Sequence, residues 1–191
     1  MDNINVVIIN GSGGSGKSTF CNMCCDYAIS KYHSIAHELS TVEWVKDVAK
    51  FCGWNGAKEE KDRAFLHAIK MALEDWNNSP NTTVTDKIAE YYYNTKKHLD
   101  YVNNFLFFVN IREKDSMDKF VAALAQKNLP EEIKLLKLLV INNNVPLVNG
   151  NDGDKNVFEI NYDCVIKNNQ GLEELRYQAR RFVDDIFSEK F

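Results

Sequence analysis

The sequence predicts an α/β fold of three layers, in which about five parallel strands form a sheet with helices on both faces. Continuous apolar segments of strand length alternate along the chain with longer segments of helical periodicity. The first apolar segment, Ile4 to Asn10, runs directly into a glycine-rich turn. A chain of 191 residues suits one compact domain, because a domain of this size buries enough surface to need no metal or disulfide for its stability.

The glycine-rich turn matches the complete phosphate-binding loop pattern. It reads Gly11-Ser12-Gly13-Gly14-Ser15-Gly16-Lys17-Ser18. Between a strand and a helix, the backbone N–H groups of such a loop surround phosphate oxygens, and the helix points its positive end at them. We expect Lys17 to reach the β- and γ-phosphates of ATP and Ser18 to bind Mg²⁺, with Thr19 completing the nucleotide site. The three layers are therefore predicted to form the P-loop NTPase fold.

The elements after the loop begin with a helix from about Lys17 through Ile29, followed by a short strand from Ser34 to Glu38. Ser40 and Glu43 have the spacing of a capping box, which predicts that the next helix begins at Ser40. Gly53 provides its C-terminal stop, and a polar turn follows.

A longer helix is predicted from about Glu60 to Trp76, with two stripes at helical spacing. The stripe predicted to be buried consists of Phe65, Leu66, Ile69, Leu73 and Trp76. The other stripe is predicted to form a ligand wall and consists of Arg63, His67, Lys70 and Glu74. A lone histidine on a helix is usually a bystander, so we assign no catalytic role to His67.

The second half of the chain continues the alternation. The segment from Asn77 to Asn81, which contains Pro80, is predicted to interrupt the chain before a helix of roughly Thr83 to Tyr101. The remaining predictions are a strand over Phe105–Ile111, a helix marked by Met117, Phe120, Val121 and Leu124, a strand over Leu135–Ile141, a polar loop from Val145 to Tyr162, a strand over Cys164–Ile166 and a last helix with Leu172, Leu175, Ala179, Phe182 and Ile186 facing inward.

Composition excludes several classes of protein. The net charge of −4 argues against a broad nucleic-acid surface, and no apolar segment is long enough to span a bilayer. The N-terminus reads directly into a strand, which favours a cytoplasmic protein. Five cysteines without paired spacing fit reduced thiols. The cluster of Cys21, Cys24 and Cys25 is consistent with a metal or redox site, but small buried helix residues are the favoured interpretation.

Two arginines are candidates for gripping a phosphate. Arg63 and Arg112 stand apart from the three arginines of the last helix, for which a solvated face is predicted. A planar guanidinium holds phosphate with two parallel hydrogen bonds. The alternative for these two residues is a surface ion pair with Glu59 or Glu113.

The sequence resembles the phage-type deoxynucleoside monophosphate kinases and related small P-loop kinases, which include the animal-type phosphomevalonate kinases. Besides the phosphate loop, the resemblance lies in Val42 to Lys46, Gly53 to Lys58 with Arg63 to Leu66, Asn110 to Glu113, Tyr162 to Ile166 and Gly171 to Leu175. It implies that residues 40–101 supply acceptor-binding helices and that residues 113–134 form a lid-like segment.

The same resemblance implies roles for individual residues. Lys46, Lys58 and Arg63 would line the acceptor site, and Arg112 would face the transferred phosphate. Glu38 and Lys70 are counted with the substrate-binding residues. Independently of the resemblance, phosphoryl transfer depends mostly on positioning and charge stabilisation, so a weak general base such as Glu38 or Asp86 is expected to help without being essential.

Two departures from the family pattern are visible. Asn110 stands where these kinases usually carry an acidic residue, so metal binding would depend on Ser18, Glu38 or Glu113. Asn142, Asn143 and Asn144 stand where a basic residue is expected.

The resemblance therefore implies ATP-dependent phosphoryl transfer to a nucleotide-like acceptor, with a deoxynucleoside monophosphate as the leading choice. The alternatives are another small molecule, a hydroxymethylated base in phage DNA, or a regulatory or pseudokinase module that binds nucleotide without efficient transfer. The partners expected are a nucleoside triphosphate and a small phosphorylated acceptor, in the host cytoplasm if the protein is phage-encoded, with a homodimer left open. Neither a guanine-reading motif nor a GTPase switch motif is present in the sequence.

Overall fold

Five parallel strands form the sheet in the computed structural model of the protein, which describes residues 2–129, 133–145, 157, 160–188 and 190. The strands are β1 (Asn3–Asn10), β2 (Ile35–Ser40), β3 (Asn104–Asn110), β4 (Ile133–Ile141) and β5 (Cys164–Lys167). Their order across the sheet is β2-β3-β1-β4-β5, and every neighbouring pair is parallel. The predicted sheet is confirmed.

Helices cover both faces of this sheet. They are α1 (Lys17–Tyr32), α2 (Val42–Phe51), α3 (Glu60–Trp76), α4 (Ser79–His98), α5 (Lys114–Ala125) and α6 (Leu172–Phe187). With the glycine-rich loop between β1 and α1, this arrangement is the predicted three-layer P-loop NTPase fold. Most of the predicted polar loop from Val145 to Tyr162, and residues 130–132 of the predicted lid segment, lie outside the described residues.

The side chains of β1 divide the apolar core into two halves, because successive residues of a strand point to opposite faces. Val7 and Ile9 pack in a core with residues of α1 and α6, whereas Ile4, Val6 and Ile8 pack with residues of α4 and α5. All five side chains are at most 1% exposed. This strand is therefore covered on both sides, as its continuous apolar sequence predicts.

The cysteines of α1 belong to the core. Cys21 and Cys24 are fully buried, Cys25 is half-buried, and the thiols are free. Burial raises the pKa of the Cys25 thiol to about 12, so it is not a reactive thiolate at neutral pH. Within the described part of the chain, no group of three or more His, Cys, Asp or Glu side chains could hold a metal ion. The favoured interpretation, small buried helix residues, is confirmed for Cys21 and Cys24.

The prediction that Phe65 and Trp76 of α3 are buried is wrong. The Phe65 side chain is 38% exposed and that of Trp76 is 81% exposed, whereas Asp62, Lys70 and Glu74 are buried. α3 packs against α2 and α4, and its polar stripe meets the start of α5. Sequence periodicity shows which residues share one side of a helix. It does not show that polar residues on that side are buried, because their burial depends on hydrogen-bond partners from another helix.

Two helix starts and the exposure of one residue also differ from prediction. α2 begins at Val42 with Thr41 at the N-cap, because Ser40 still pairs with Asn110 as the last residue of β2. α4 begins at Ser79, four residues earlier than predicted, because proline is tolerated in the first turn of a helix. Leu172, predicted to face inward, is 61% exposed at the first position of α6.

The topology fixes where a ligand can bind. The chain leaves β1 towards β2 on one side of the sheet and later reaches β4 on the other side, so β1 lies at the switch point of the strand order. In open α/β sheets, ligands bind beyond the carboxyl ends of the strands at this point. None of the helices in the described residues has the length and apolar character needed to cross a membrane.

Candidate functional site

The phosphate loop connects the carboxyl end of β1 to the first turn of α1. Gly16 stands at the N-cap with a φ of 95°, and its carbonyl accepts from the Phe20 N–H at 2.9 Å. The first N–H groups of a helix have no partner within the helix, and they carry the positive end of its dipole. The loop therefore offers backbone donors to an anion at the switch point of the sheet.

Two glycines of the loop cannot be replaced without displacing a neighbour. A Cβ on Gly11 would lie 2.2 Å from the Val140 carbonyl oxygen, and a Cβ on Gly16 would lie 2.3 Å from Asn168 Nδ2. Both residues also have positive φ values, 140° and 95°, that side chains rarely tolerate. Val140 of β4 and Asn168, which follows β5, therefore pack closely against the loop.

The Lys17 ammonium lies against the loop itself. Its Nζ donates to the carbonyl oxygens of Gly11 at 2.5 Å and Ser12 at 2.8 Å. The hydroxyl of Ser15, 1% exposed, has no hydrogen-bond partner among the described residues. A buried hydroxyl without a partner is costly in a folded protein, so this one fits a loop that binds an oxygen-rich ligand. The predicted loop residues thus lie together with the Lys17 ammonium and with a Ser15 hydroxyl that has no partner among the described residues.

An acidic side chain meets the loop at the ends of β2 and β3. Ser18 Oγ donates to Glu38 Oε1 at 2.9 Å, and Asn110 Nδ2 donates to the same oxygen at 2.7 Å. Ser18, predicted to bind Mg²⁺, therefore lies beside a carboxylate. Hydroxyl and carboxylate oxygens are the ligands that Mg²⁺ prefers, so this group fits the metal.

Glu113, the other acidic residue considered for the metal, lies in a different place. Its carboxylate pairs with the Lys70 ammonium and lies 3.6 Å from His67 Nδ1. Burial alone would raise the pKa of Glu113, but the Lys70 charge and hydrogen bond lower it below its usual range. Glu113 is thus held ionised in a network between α3 and α5.

The same network buries two more polar groups. Lys70 Nζ donates to Ser116 Oγ at 3.1 Å and lies 3.5 Å from Glu74 Oε1, and the Ser116 hydroxyl donates to the Glu74 carboxylate at 2.8 Å. The side chains of Lys70 and Glu74 are only 5% and 1% exposed. Lys70, predicted to bind substrate, and Glu74, predicted to line an open wall, are therefore held in an internal ion-pair network in this structure.

The other predicted acceptor residues are distributed over α2, α3 and the segment after β3. Lys46 is exposed on α2, Lys58 in the α2–α3 connection and Arg63 in the first turn of α3, whereas Arg112 is half-buried after β3. The carboxylates considered as their surface partners pair with lysines, Glu59 with Lys61 at 3.0 Å and Glu113 with Lys70. Asp86, the alternative general base, pairs with Lys127 at 2.5 Å.

The arginines of α6 form the predicted solvated face. Arg176 pairs with Glu173 at 2.8 Å, Arg181 lies 3.8 Å from Asp185, and the Arg180 guanidinium lies over the Tyr27 ring. All three arginines are exposed.

Two asparagines that contact the loop were not among the predicted site residues. The Asn10 side chain accepts from the Gly11 N–H at 2.7 Å, and Asn168 Nδ2 donates to the Ser15 carbonyl at 3.0 Å. A polar residue at the last position of an apolar strand was a signal for Asn10. Nothing local to Asn168 marked it, since its partner lies 153 residues away in the sequence.

Comparison with known proteins supports the fold alone. The crystal structure of APE1195 has a TM-score of 0.50 and 12% identity, covering 98% of this chain and 97% of that chain. Two structures of APS kinase CysC from Mycobacterium tuberculosis, one a mutant and one in complex with AMPPNP and APS, have TM-scores of 0.49 and 0.48. They share 11% and 12% identity and cover 98% of this chain and 99% of theirs. No protein-family model and no curated protein matches the sequence.

Proposed function

We propose that this protein is a kinase that transfers the γ-phosphate of ATP to a nucleotide-like acceptor, with a deoxynucleoside monophosphate as the leading choice. The observation that carries the proposal is the contact between Ser18 and Glu38 beside the phosphate loop. Asn110 cannot supply negative charge, but its amide donates to Glu38, and the Glu38 carboxylate supplies that charge beside Ser18. We place the reaction in the cytoplasm, that of the host if the protein is phage-encoded.

The residues of the loop fit the phosphates of ATP. The backbone N–H groups of the loop and the Ser15 hydroxyl would hold phosphate oxygens, and Lys17 would balance their charge. Ser18 and Glu38 would hold Mg²⁺, directly or through its water molecules. When bound, Mg²⁺ would neutralise part of the charge that shifts during transfer. The protein contributes positioning and charge, which account for most catalysis of phosphoryl transfer.

The acceptor side of the proposal depends on four exposed or half-buried cations. Arg112 would contact the phosphate in transfer, and Arg63, with Lys46 and Lys58, would bind the acceptor phosphate. Another small phosphorylated molecule would satisfy the same charges. A hydroxymethylated base in phage DNA fits less well, because a polymeric anion is repelled by a chain of net charge −4.

A regulatory module that binds nucleotide without turnover is the candidate from another class. It is favoured by Asn142, Asn143 and Asn144, which follow β4 without a basic side chain to balance transferred charge. An ATP-consumption screen with Mg²⁺ separates the two candidates. The acceptors to test are the common deoxynucleoside and ribonucleoside monophosphates, mevalonate phosphate and base-modified DNA. Turnover with one acceptor supports the kinase, and ATP binding without turnover on any of them supports the module.

We predict that Arg63→Ala and Arg112→Ala each reduce transfer while ATP binding is retained. The expected loss of turnover is about tenfold to hundredfold, the usual size of a hydrogen bond to a charged group. Turnover is measured with the acceptor found in the screen, and ATP binding by calorimetry. Arg176→Ala, on the exposed face of α6, is the matched control. If neither variant changes turnover, the acceptor assignment is wrong.

We predict that Glu38→Gln raises the Mg²⁺ concentration needed for half-maximal turnover about tenfold, because residues that hold a metal or its waters contribute affinity of this size. Asn110→Asp in the same chain should restore most of the loss, since it returns a carboxylate to a position 2.7 Å from the lost one. Glu43→Gln, an exposed charge change on α2, is the control. An unchanged Mg²⁺ requirement in Glu38→Gln would exclude Glu38 from the metal site.

A further inference from the structure

We infer that Asn10 is a positioning residue that links the phosphate loop to Arg112. The inference rests on the proposed function, because it concerns how the nucleotide site communicates with the residue that faces the transferred phosphate. Asn10 is the last residue of β1, is fully buried, and lies directly before the loop.

One side-chain amide joins the two segments. Asn10 Oδ1 accepts from the Gly11 N–H at 2.7 Å, and Asn10 Nδ2 donates to the Arg112 carbonyl oxygen at 2.9 Å. An N–H must meet an acceptor and a carbonyl must meet a donor, so these two backbone partners fix the orientation of the amide.

Each end of this link also packs against another element of the fold. Gly11 is held close to β4, since a Cβ there would lie 2.2 Å from the Val140 carbonyl oxygen. After Arg112, Glu113 stands at the N-cap of α5 and pairs with Lys70 of α3. Besides the backbone bond from the Ile111 N–H to the Ile9 carbonyl oxygen at 3.4 Å, the Asn10 side chain gives a shift of the Gly11 peptide a buried route to the Arg112 backbone.

The chemistry of the link needs an amide of this length. Aspartate in place of Asn10 keeps an acceptor for the Gly11 N–H but presents an oxygen to the Arg112 carbonyl, where a donor is required. Alanine removes both bonds. Asn10→Asp therefore breaks one end of the link at nearly constant volume, and Asn10→Ala breaks both ends.

The first test follows backbone amide resonances by NMR during titration with ADP. In the wild-type protein, the N–H of Lys17 reports on the loop, and the N–H of Glu113 reports on the peptide that contains the Arg112 carbonyl. Both are expected to shift. In Asn10→Asp and Asn10→Ala, the Lys17 shift should remain and the Glu113 shift should be lost. Asn144→Asp, after β4, measures the effect of a new negative charge alone.

The outcomes separate the link from the proposed function. If ADP shifts no loop resonance in the wild-type protein, the assignment of the nucleotide site is wrong, and the proposed link is wrong as well. If ADP shifts Lys17 but not Glu113 in the wild-type protein, the link alone is wrong, and this result needs no variant to fold. An equal Glu113 shift in the wild-type protein and a folded Asn10 variant also overturns the link.

A double-mutant cycle provides a second test with the acceptor from the screen. Asn10→Asp should lower kcat with little change in the KM for ATP beyond that of Asn144→Asp. In an Arg112→Ala background, the same substitution should cause no further loss, because the residue it acts through is absent. Additive losses of kcat, or an effect on the KM for ATP alone, would show that Asn10 acts on the loop without Arg112.

Discussion

Lys17→Ala is expected to lower phosphoryl transfer by about 10³-fold, the upper range for removing one group that stabilises transition-state charge. In the structure the Lys17 ammonium donates to two loop carbonyl oxygens, so it lies beside the loop that we propose binds the phosphates. Its removal leaves the loop without a cation, and nucleotide binding should weaken as well. Initial rates in the acceptor screen and calorimetry with ATP measure the two effects.

The matched control for this prediction is Lys97→Ala. Lys97 is exposed in the last turn of α4, so its removal changes net charge equally at a distance from the loop. A thermal unfolding curve checks that both variants are folded. Transfer that survives Lys17→Ala at the wild-type rate would show that the turnover belongs to another site or to a contaminating enzyme.

Lys70→Met is expected to lower the free energy of unfolding by about 3–5 kcal/mol, the usual loss when one partner of a buried ion pair is removed. Glu74, with a side chain 1% exposed, would remain buried without the ammonium that pairs with it, and Glu113 would lose the same partner. Denaturant unfolding monitored by circular dichroism measures the change. Because methionine resembles lysine in length, the loss should reflect charge more than volume.

Lys119→Met provides a matched control on the same pair of helices. Lys119 also bridges α5 to α3, through Asp75 at 2.8 Å, but its partner's side chain is 70% exposed. We expect a loss of less than about 1 kcal/mol there, as for other surface pairs. Adding Glu74→Gln to Lys70→Met should recover part of the larger loss by removing the buried charge. Equal effects of Lys70→Met and Lys119→Met would contradict a buried network.

The sequence was sufficient for features that depend on neighbours along the chain. The strand, loop and α1 were predictable because an apolar strand, a glycine pattern and a lysine at fixed spacing lie within sixteen residues, Asn3 to Ser18. The central strands β1 and β3 were predictable because strands covered on both faces are apolar along most of their length. The boundary at Pro80 failed because proline is equally compatible with a helix start and a break.

Features that depend on contacts between distant segments could not be predicted. The Glu38 contact with Ser18 requires the register between β2 and β3, which no local pattern reveals. The burial of Lys70 depends on Glu113, 43 residues away, so part of a polar stripe that seemed suited to a ligand is turned towards another helix. In both cases the residue type was informative, but its partner was set by the tertiary structure.

The exposed Trp76 at the end of α3 has a practical consequence. The chain contains three tryptophans, Trp44, Trp54 and Trp76, and all of them lie on α2, α3 or the connection between them. The Trp76 side chain is 81% exposed and that of Trp44 is 41% exposed, whereas Trp54 is half-buried. Tryptophan fluorescence, excited selectively over that of tyrosine, therefore originates wholly from the predicted acceptor side, and a change in this emission on adding an acceptor would report its binding without any label.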